Sequence, residues 1–450
     1  MTRARYCGLF LLLLSAGISI FLGNMLGNTP QTGFTDFRGV YYATRCLLSH
    51  DDPYKAAELL RAYQSDGGDA ASLSSINRQI LSLTNYIPTT FILIVPMAML
   101  PWNPATLLWT ILTAASLLLV AILMWSIGVS KAPVITVGLI CVVLANSEVL
   151  FALGNPAGVA VGLCVVAAWC FIKERLVWAG VLCLAVSLAL KPHDAGLVWL
   201  YFLLAGKTYR RYALQTLLVI VLLALPALLW VSHVAPHWQR EMYSNLLTYS
   251  MRGNVNDPGP SSSTGNTLFE VIDLQTAISV FKDNPRIYNE ISYLVCGALL
   301  FVWPVTTLRT RFSPANAWIA LAAVSALTML VTYHRPYDAK ILLLTIPACA
   351  MLWAGGGPIG RLALLVNTAG VVFTSDIPLE ILVILTKNLH LSTTTLTGQI
   401  LTVLLMRPVP LILLVMGIFY LWVYVRRASV PGATADPADS RRMSAEATSA

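Results

Sequence analysis

The stretch FTDFRGVYYATRCLLSHDDPY, residues 34–54, sets one carboxylate, Asp36, about ten residues beyond a long apolar run. A carboxylate at the edge of an apolar segment can act as a general base, taking a proton from a hydroxyl as it attacks an activated donor. The competing reading is a solvated loop acid, or a cap for the helix that Phe37, Val40, Tyr41, Thr44 and Leu48 trace at roughly helical spacing. Arg38 and Tyr41 lie on the same segment and are expected to join a substrate pocket if Asp36 does chemistry.

Three further polar clusters interrupt apolar runs: ALGNPAG at 152–158, LKPHDAG at 190–196 and YHRPYDAK at 333–340. Ionisable groups at the ends of membrane spans are functional candidates by default. Lys191, Arg335 and Lys340 together suggest an anion site. The competing reading for the two lysines is snorkelling to the interface. Asn155 and Asp338 belong to the same clusters and are taken as pocket residues. His334, with an ordinary pKa near 6.5, suits acceptor orientation or proton transfer. Asp51 and Asp52 are adjacent acids without a DxD pattern, so they read as a turn or cap rather than a metal site. No metal and no cofactor are expected.

Such residues need a scaffold, and composition names its class. The 450-residue chain is 57% hydrophobic and 11% charged, with a mean hydropathy of +0.72. That leaves too little polar surface to coat a soluble globule. Apolar runs long enough to cross a hydrocarbon core of roughly 30 Å recur from residue 6 to 425. The expected fold is therefore an all-α polytopic membrane protein. The net charge of +8 resides mainly in short Lys/Arg clusters between spans, as membrane topology demands, and argues against a nucleic-acid partner. The eight cysteines include no CxxC pair and read as small buried hydrophobes.

Basic clusters at 2–5, 131, 173–175, 207–211, 309–311, 361 and 426–427 mark an inner face. The expected spans are 6–26, 133–150, 157–172, 177–190, 194–206, 213–232, 291–308, 314–332, 341–354, 361–374 and 408–425. The first is read as an uncleaved helix with its N-terminus inside. Residues 86–128 are read as a single broken crossing, or a crossing preceded by a re-entrant or interfacial helix. That brings the count to about 12, with both termini cytoplasmic. Long segments 27–85 and 233–290 then lie outside, where function is sought. A transmembrane catalytic domain is assigned to 1–425 and a disordered cytoplasmic tail to 426–450.

The ordered set DF..VYYATRCLL...DPY, Y.P......VPMAMLP, a GN turn, LALKP and HRPYD resembles glycosyltransferase family 87 over roughly residues 10–355. The chain departs from the family pattern with YIP at 86–88 and GNP at 154–156. The resemblance implies a GT-C-like bundle and a catalytic base in the first outer loop, where Asp36 stands. It also implies a polyprenyl-phosphate sugar donor, with mannose the expected sugar, a glycolipid or cell-envelope glycan as acceptor, and a place among the lipids of a bacterial plasma membrane. The first outer loop would then lie on the membrane surface through its tyrosines and apolar residues. The main rival is a transporter or flippase of lipid-linked intermediates, against which stands the lack of matching inverted repeats with broken helices.

Overall fold

The computed structural model describes residues 2–28, 33–260, 271–386, 389, 391 and 394–429. Helix makes up 79% of it, with no strand among the described residues. Seven described helices are long and apolar enough to cross a membrane: Arg5–Gly27, Trp102–Gly128, Pro133–Leu153, Thr208–Val234, Pro285–Arg309, Pro314–Val331 and Pro408–Ala428. An eighth crossing is available if Gly357–Phe373 and Asp376–Thr386, bent by 76°, form one span.

This differs from the expected count of about 12 because several apolar runs fold into short helices. Ala157–Ile172, Val177–Leu190 and Pro192–Leu204 have 16, 14 and 13 residues. At 1.5 Å per residue these reach roughly 20 to 24 Å, short of a hydrocarbon core of about 30 Å. Pro88–Ala98 has only 11 residues and carries Pro96 inside it, whereas the helix that follows, Trp102–Gly128, has 27. By length, therefore, only one full crossing fits in 86–128. At the other end, the last helix runs to Ala428, and residues 430–450 of the assigned tail lie outside the described residues.

The interior is built from the helices poorest in large polar groups. Every residue from Asn316 to Leu330 is buried, which an Ala-rich sequence allows by letting neighbours approach closely. Small residues make these approaches possible elsewhere too. A Cβ at Gly162 would stand 2.7 Å from the Ser116 Cβ, and one at Gly417 2.6 Å from a Leu327 methyl carbon.

The segment after the first span turns three of its tyrosines inward, where its aromatic content suggested contact with the membrane surface. It folds into helices Thr35–Leu48, Ala56–Ser65 and Ser75–Ser82 and packs inward. Tyr41, Tyr42 and Tyr54 are buried, and their rings meet Trp102 and Phe91 instead of lipid. Phe37 stacks on Trp109 with centroids 5.0 Å apart. The aromatic character of this segment is thus core packing.

The second long segment closes over the same end of the bundle. Helix Trp238–Ser250 is fastened to the first segment where the Asn245 amide donates to the carbonyls of Tyr54 and Thr84, at 3.0 and 2.9 Å. The Tyr249 hydroxyl reaches the Ile80 carbonyl at 3.2 Å. Further along, the Ile272 N–H donates to the His334 carbonyl at 3.0 Å, tying this segment to the YHRPYDAK turn.

Candidate active site

Where these segments meet lies a cavity of about 330 Å³. Asp36, Asn155, Lys191 and Arg335, drawn from four regions of the sequence, all line it. The structure therefore brings together four of the residues singled out for chemistry.

Asp36 occupies the first turn of helix Thr35–Leu48, where a carboxylate is favoured by the exposed N–H groups. Its place is fixed from outside the helix. Phe34 enters in the left-handed region, φ 51°, and its N–H donates to the Ala152 carbonyl at 2.8 Å. The Gly154 turn comes so close that a Cβ there would sit 2.8 Å from both the Phe34 ring and the Phe37 Cβ, and its φ of +63° independently favours glycine. The Trp109 indole N–H holds the Gly154 carbonyl at 2.8 Å. One residue on, Asn155 donates from Nδ2 to Asp36 Oδ2 at 2.7 Å. Burial pushes the Asp36 carboxyl above its ordinary value of 3.8, against the Asn155 hydrogen bond and the charges of Arg335 and Lys191, which favour ionisation.

Lys191 sits between two short helices with its ammonium almost enclosed. It donates to Asp338 Oδ1 at 2.5 Å, lies 3.6 Å from Asp194 Oδ2, and approaches Asn155 Oδ1 at 3.5 Å. Burial opposes the ammonium charge, but Asp194 and Asp338 outweigh it and keep Lys191 protonated. Asp338 is itself fully engaged, since its Oδ2 accepts from the Arg335 backbone N–H at 2.8 Å.

Arg335 reaches the cavity from the YHRPYDAK turn. Its guanidinium donates to the Tyr333 hydroxyl, and at 3.3 Å to both the Val255 carbonyl and Asn256 Oδ1. A planar cation steered by several acceptors is well suited to gripping oxygens of a phosphate.

Other singled-out residues lie elsewhere. Asp338 and His334 are buried behind the wall, and neither lines the cavity. Lys340 donates to the Asn146 carbonyl at 2.7 Å, in a separate region that also holds Glu148 and Asp376. The Arg38 guanidinium lies over the Tyr63 and Trp102 rings, 5.6 and 5.4 Å from their centroids. The Tyr41 hydroxyl donates to the Leu100 carbonyl at 2.8 Å. Asp52 accepts from the Tyr54 N–H at 3.0 Å, a local turn away from the cavity.

The sequence reading overlooked the aromatic wall formed by Tyr86, Tyr249, Tyr333 and Tyr337, and the contribution of His193 and Asn256. Tyr333, Tyr337 and His193 stood inside clusters already noted. Tyr249, at the end of helix Trp238–Ser250, and Asn256, in the turn that follows, carried no signal in the sequence. His193, Asp194 and His334 also bring three possible ligand atoms within 4.8 Å of one another. His334 Nδ1 is 2.8 Å from the Thr332 carbonyl and must donate to it, which turns Nε2 toward Asp194 Oδ1 at 3.4 Å. Two acceptors would face each other there unless a cation intervenes. A proton on Nε2 resolves the conflict: burial opposes it, but Asp194 and Asp338 outweigh burial and raise the His334 pKa above 6.5. With the Lys191 ammonium on the other oxygen, Asp194 already faces cationic partners on both sides.

Residues 84–333 match the family model of glycosyltransferase family 87, more than half of the 450-residue chain, and the chain belongs to that family. The match covers Asn155 and Lys191, begins after Asp36, Arg38 and Tyr41, and ends one residue before His334. It is narrower than the resemblance read from the motifs, so Asp36 and Arg335 join the site through geometry. No curated protein and no solved structure matches the chain.

Proposed function

We propose that this family 87 glycosyltransferase, a multi-pass membrane protein, moves a sugar from a polyprenyl-phosphate donor to a hydroxyl of a lipid-linked or cell-envelope acceptor, with inversion at the anomeric carbon. The observation that carries the reading is the meeting of Asp36, Asn155, Lys191 and Arg335 on one cavity. The acceptor oxygen bonds to the anomeric carbon as the bond from that carbon to the phosphate oxygen breaks. The hydroxyl proton passes to Asp36, and polyprenyl phosphate leaves with the bonding electrons.

Each group has a distinct task. Asp36 is the general base. Arg335 binds the phosphate and stabilises the charge that grows on it. Lys191, already shared among Asp338, Asp194 and Asn155, contributes its field from behind. His334 braces Asp194. The tyrosines offer flat faces and hydroxyls for a sugar, for which mannose is the favoured candidate. Arg335 and Lys191 supply the positive charge that a divalent ion otherwise brings, so transfer should survive treatment with chelator; its abolition and restoration by added metal would overturn this part.

The Lys/Arg clusters favour both termini cytoplasmic and the cavity on the outer face, and the family resemblance favours a bacterial inner membrane. The direct test incubates membranes with radiolabelled polyprenyl-phosphate sugars and follows the label. Label moving into a lipid or glycan supports the reading; label that changes leaflet without changing its chemical form would favour a flippase.

A further inference from the structure

We infer that Asn155 is the positioning residue for Asp36, and that it couples the base to the buried ammonium of Lys191. This rests on the reading of Asp36 as general base.

The orientation of the Asn155 amide is forced by its partners. The Ala157 N–H donates to Oδ1 at 2.8 Å, and the Lys191 ammonium lies 3.5 Å from the same atom. Both are donors, so that atom must be the oxygen. The NH₂ group therefore faces Asp36 and donates to Oδ2 at 2.7 Å, a charge-assisted bond to the ionised carboxylate. The side chain has no freedom to turn over, because rotation would set NH₂ against N–H and ammonium.

The backbone is equally constrained. Gly154 occupies the left-handed region against Phe34 and Phe37, its carbonyl is held by Trp109, and helix Ala157–Ile172 begins two residues on. Asn155 is thus a rigid bracket with a donor at one end and a doubly occupied acceptor at the other. With Oδ2 engaged, Oδ1 of Asp36 accepts no hydrogen bond among the described residues. Asp36 lines the cavity, so that oxygen is available to a substrate hydroxyl. Behind the bracket, Asp338 and Asp194 hold Lys191 in place.

The groups facing Asp36 electrostatically are Arg335, Lys191 and Asp338, with the phenols of Tyr86, Tyr249, Tyr333 and Tyr337 around the same cavity. None of these donates a hydrogen bond to the carboxylate among the described residues; Asn155 does. Its amide favours the basic form of Asp36 by direct contact, alongside the more distant charges of Arg335 and Lys191.

The experiment compares the pH dependence of kcat/KM for wild type, Asn155→Asp, Asn155→Ser and Asp36→Asn, using a polyprenyl-phosphate sugar that wild-type membranes turn over. Asn155→Asp keeps an oxygen for Ala157 and Lys191 but sets a second carboxylate against Asp36. The two then share a proton, and the acid limb of the profile moves up by about one pH unit or more, a tenfold loss on that limb. Asn155→Ser introduces no charge and cannot reach Asp36; kcat falls about tenfold or more while donor KM holds, as expected when only the base is misaligned. Wild-type kcat in the Ser variant, or an unshifted acid limb in the Asp variant, would overturn the inference if Asp36→Asn is inactive. An active Asp36→Asn enzyme would instead overturn the base assignment on which the inference depends.

Discussion

The Lys191 ammonium lies 2.5 Å from a carboxylate oxygen of Asp338, 147 residues further along the chain, with both side chains buried. The contact joins the LKPHDAG and YHRPYDAK turns, and so fixes the distance between Asn155 on one wall and Arg335 on the other.

Removing one member of this pair strands the other charge away from water. Lys191→Met or Asp338→Asn alone should each destabilise the protein by about 3 to 5 kcal/mol, the usual cost of breaking a buried pair. The double variant should recover part of the loss. Denaturant titration in detergent checks this as a double-mutant cycle, and strictly additive losses would deny the coupling.

Arg335 and Lys340 were both candidates for the anion site in sequence, yet of the two only Arg335 lines the cavity. Arg335→Lys keeps the charge but loses the two-pronged grip on phosphate oxygens, so kcat/KM for the donor should fall by tenfold or more. Lys340→Met should leave donor KM unchanged, since that amine is held by the Asn146 carbonyl. Steady-state kinetics of the two variants decide the matter; equal effects on donor KM would contradict the separation.

His334 provides a pH signature of stability. Its folded pKa is raised above 6.5 through Asp194 and Asp338, so its paired charge stabilises the fold fully below the unfolded pKa. That contribution is lost as pH rises through the folded value. The wild-type melting temperature should decline over this window, and His334→Gln should flatten the decline. Parallel melting curves for the two proteins would show that His334 does not carry the charge.

Much of this organisation was readable in the chain. Hydrophobicity identifies a helical membrane protein because lipid leaves few other ways to satisfy the backbone. The GN, LKPHD and HRPYD turns stood out because polar residues between apolar runs need partners. The number of spans was harder to read. A buried helix such as Ala157–Ile172 and a lipid-facing one have the same composition, and only packing separates them. Pairing was hidden for the same reason: Lys191 and Lys340 are similar in sequence context, but one meets Asp338 and the other a backbone carbonyl. Tyr41 and Arg38 look like site residues until Trp102 is seen to occupy their faces.

The most direct measurement is sugar transfer by Asp36→Asn in membranes supplied with labelled polyprenyl-phosphate sugar, alongside its melting temperature. The substitution keeps the size of the side chain and removes its basic oxygen. Because general-base catalysis contributes about 10² to 10⁴ in rate, transfer should fall by at least a hundredfold with expression and melting near wild type. Asp51→Asn and Asp52→Asn should cost far less. Retention of most activity by Asp36→Asn, together with an inactive Asp51 or Asp52 variant, would contradict the account and move the base to the turn at 51–52.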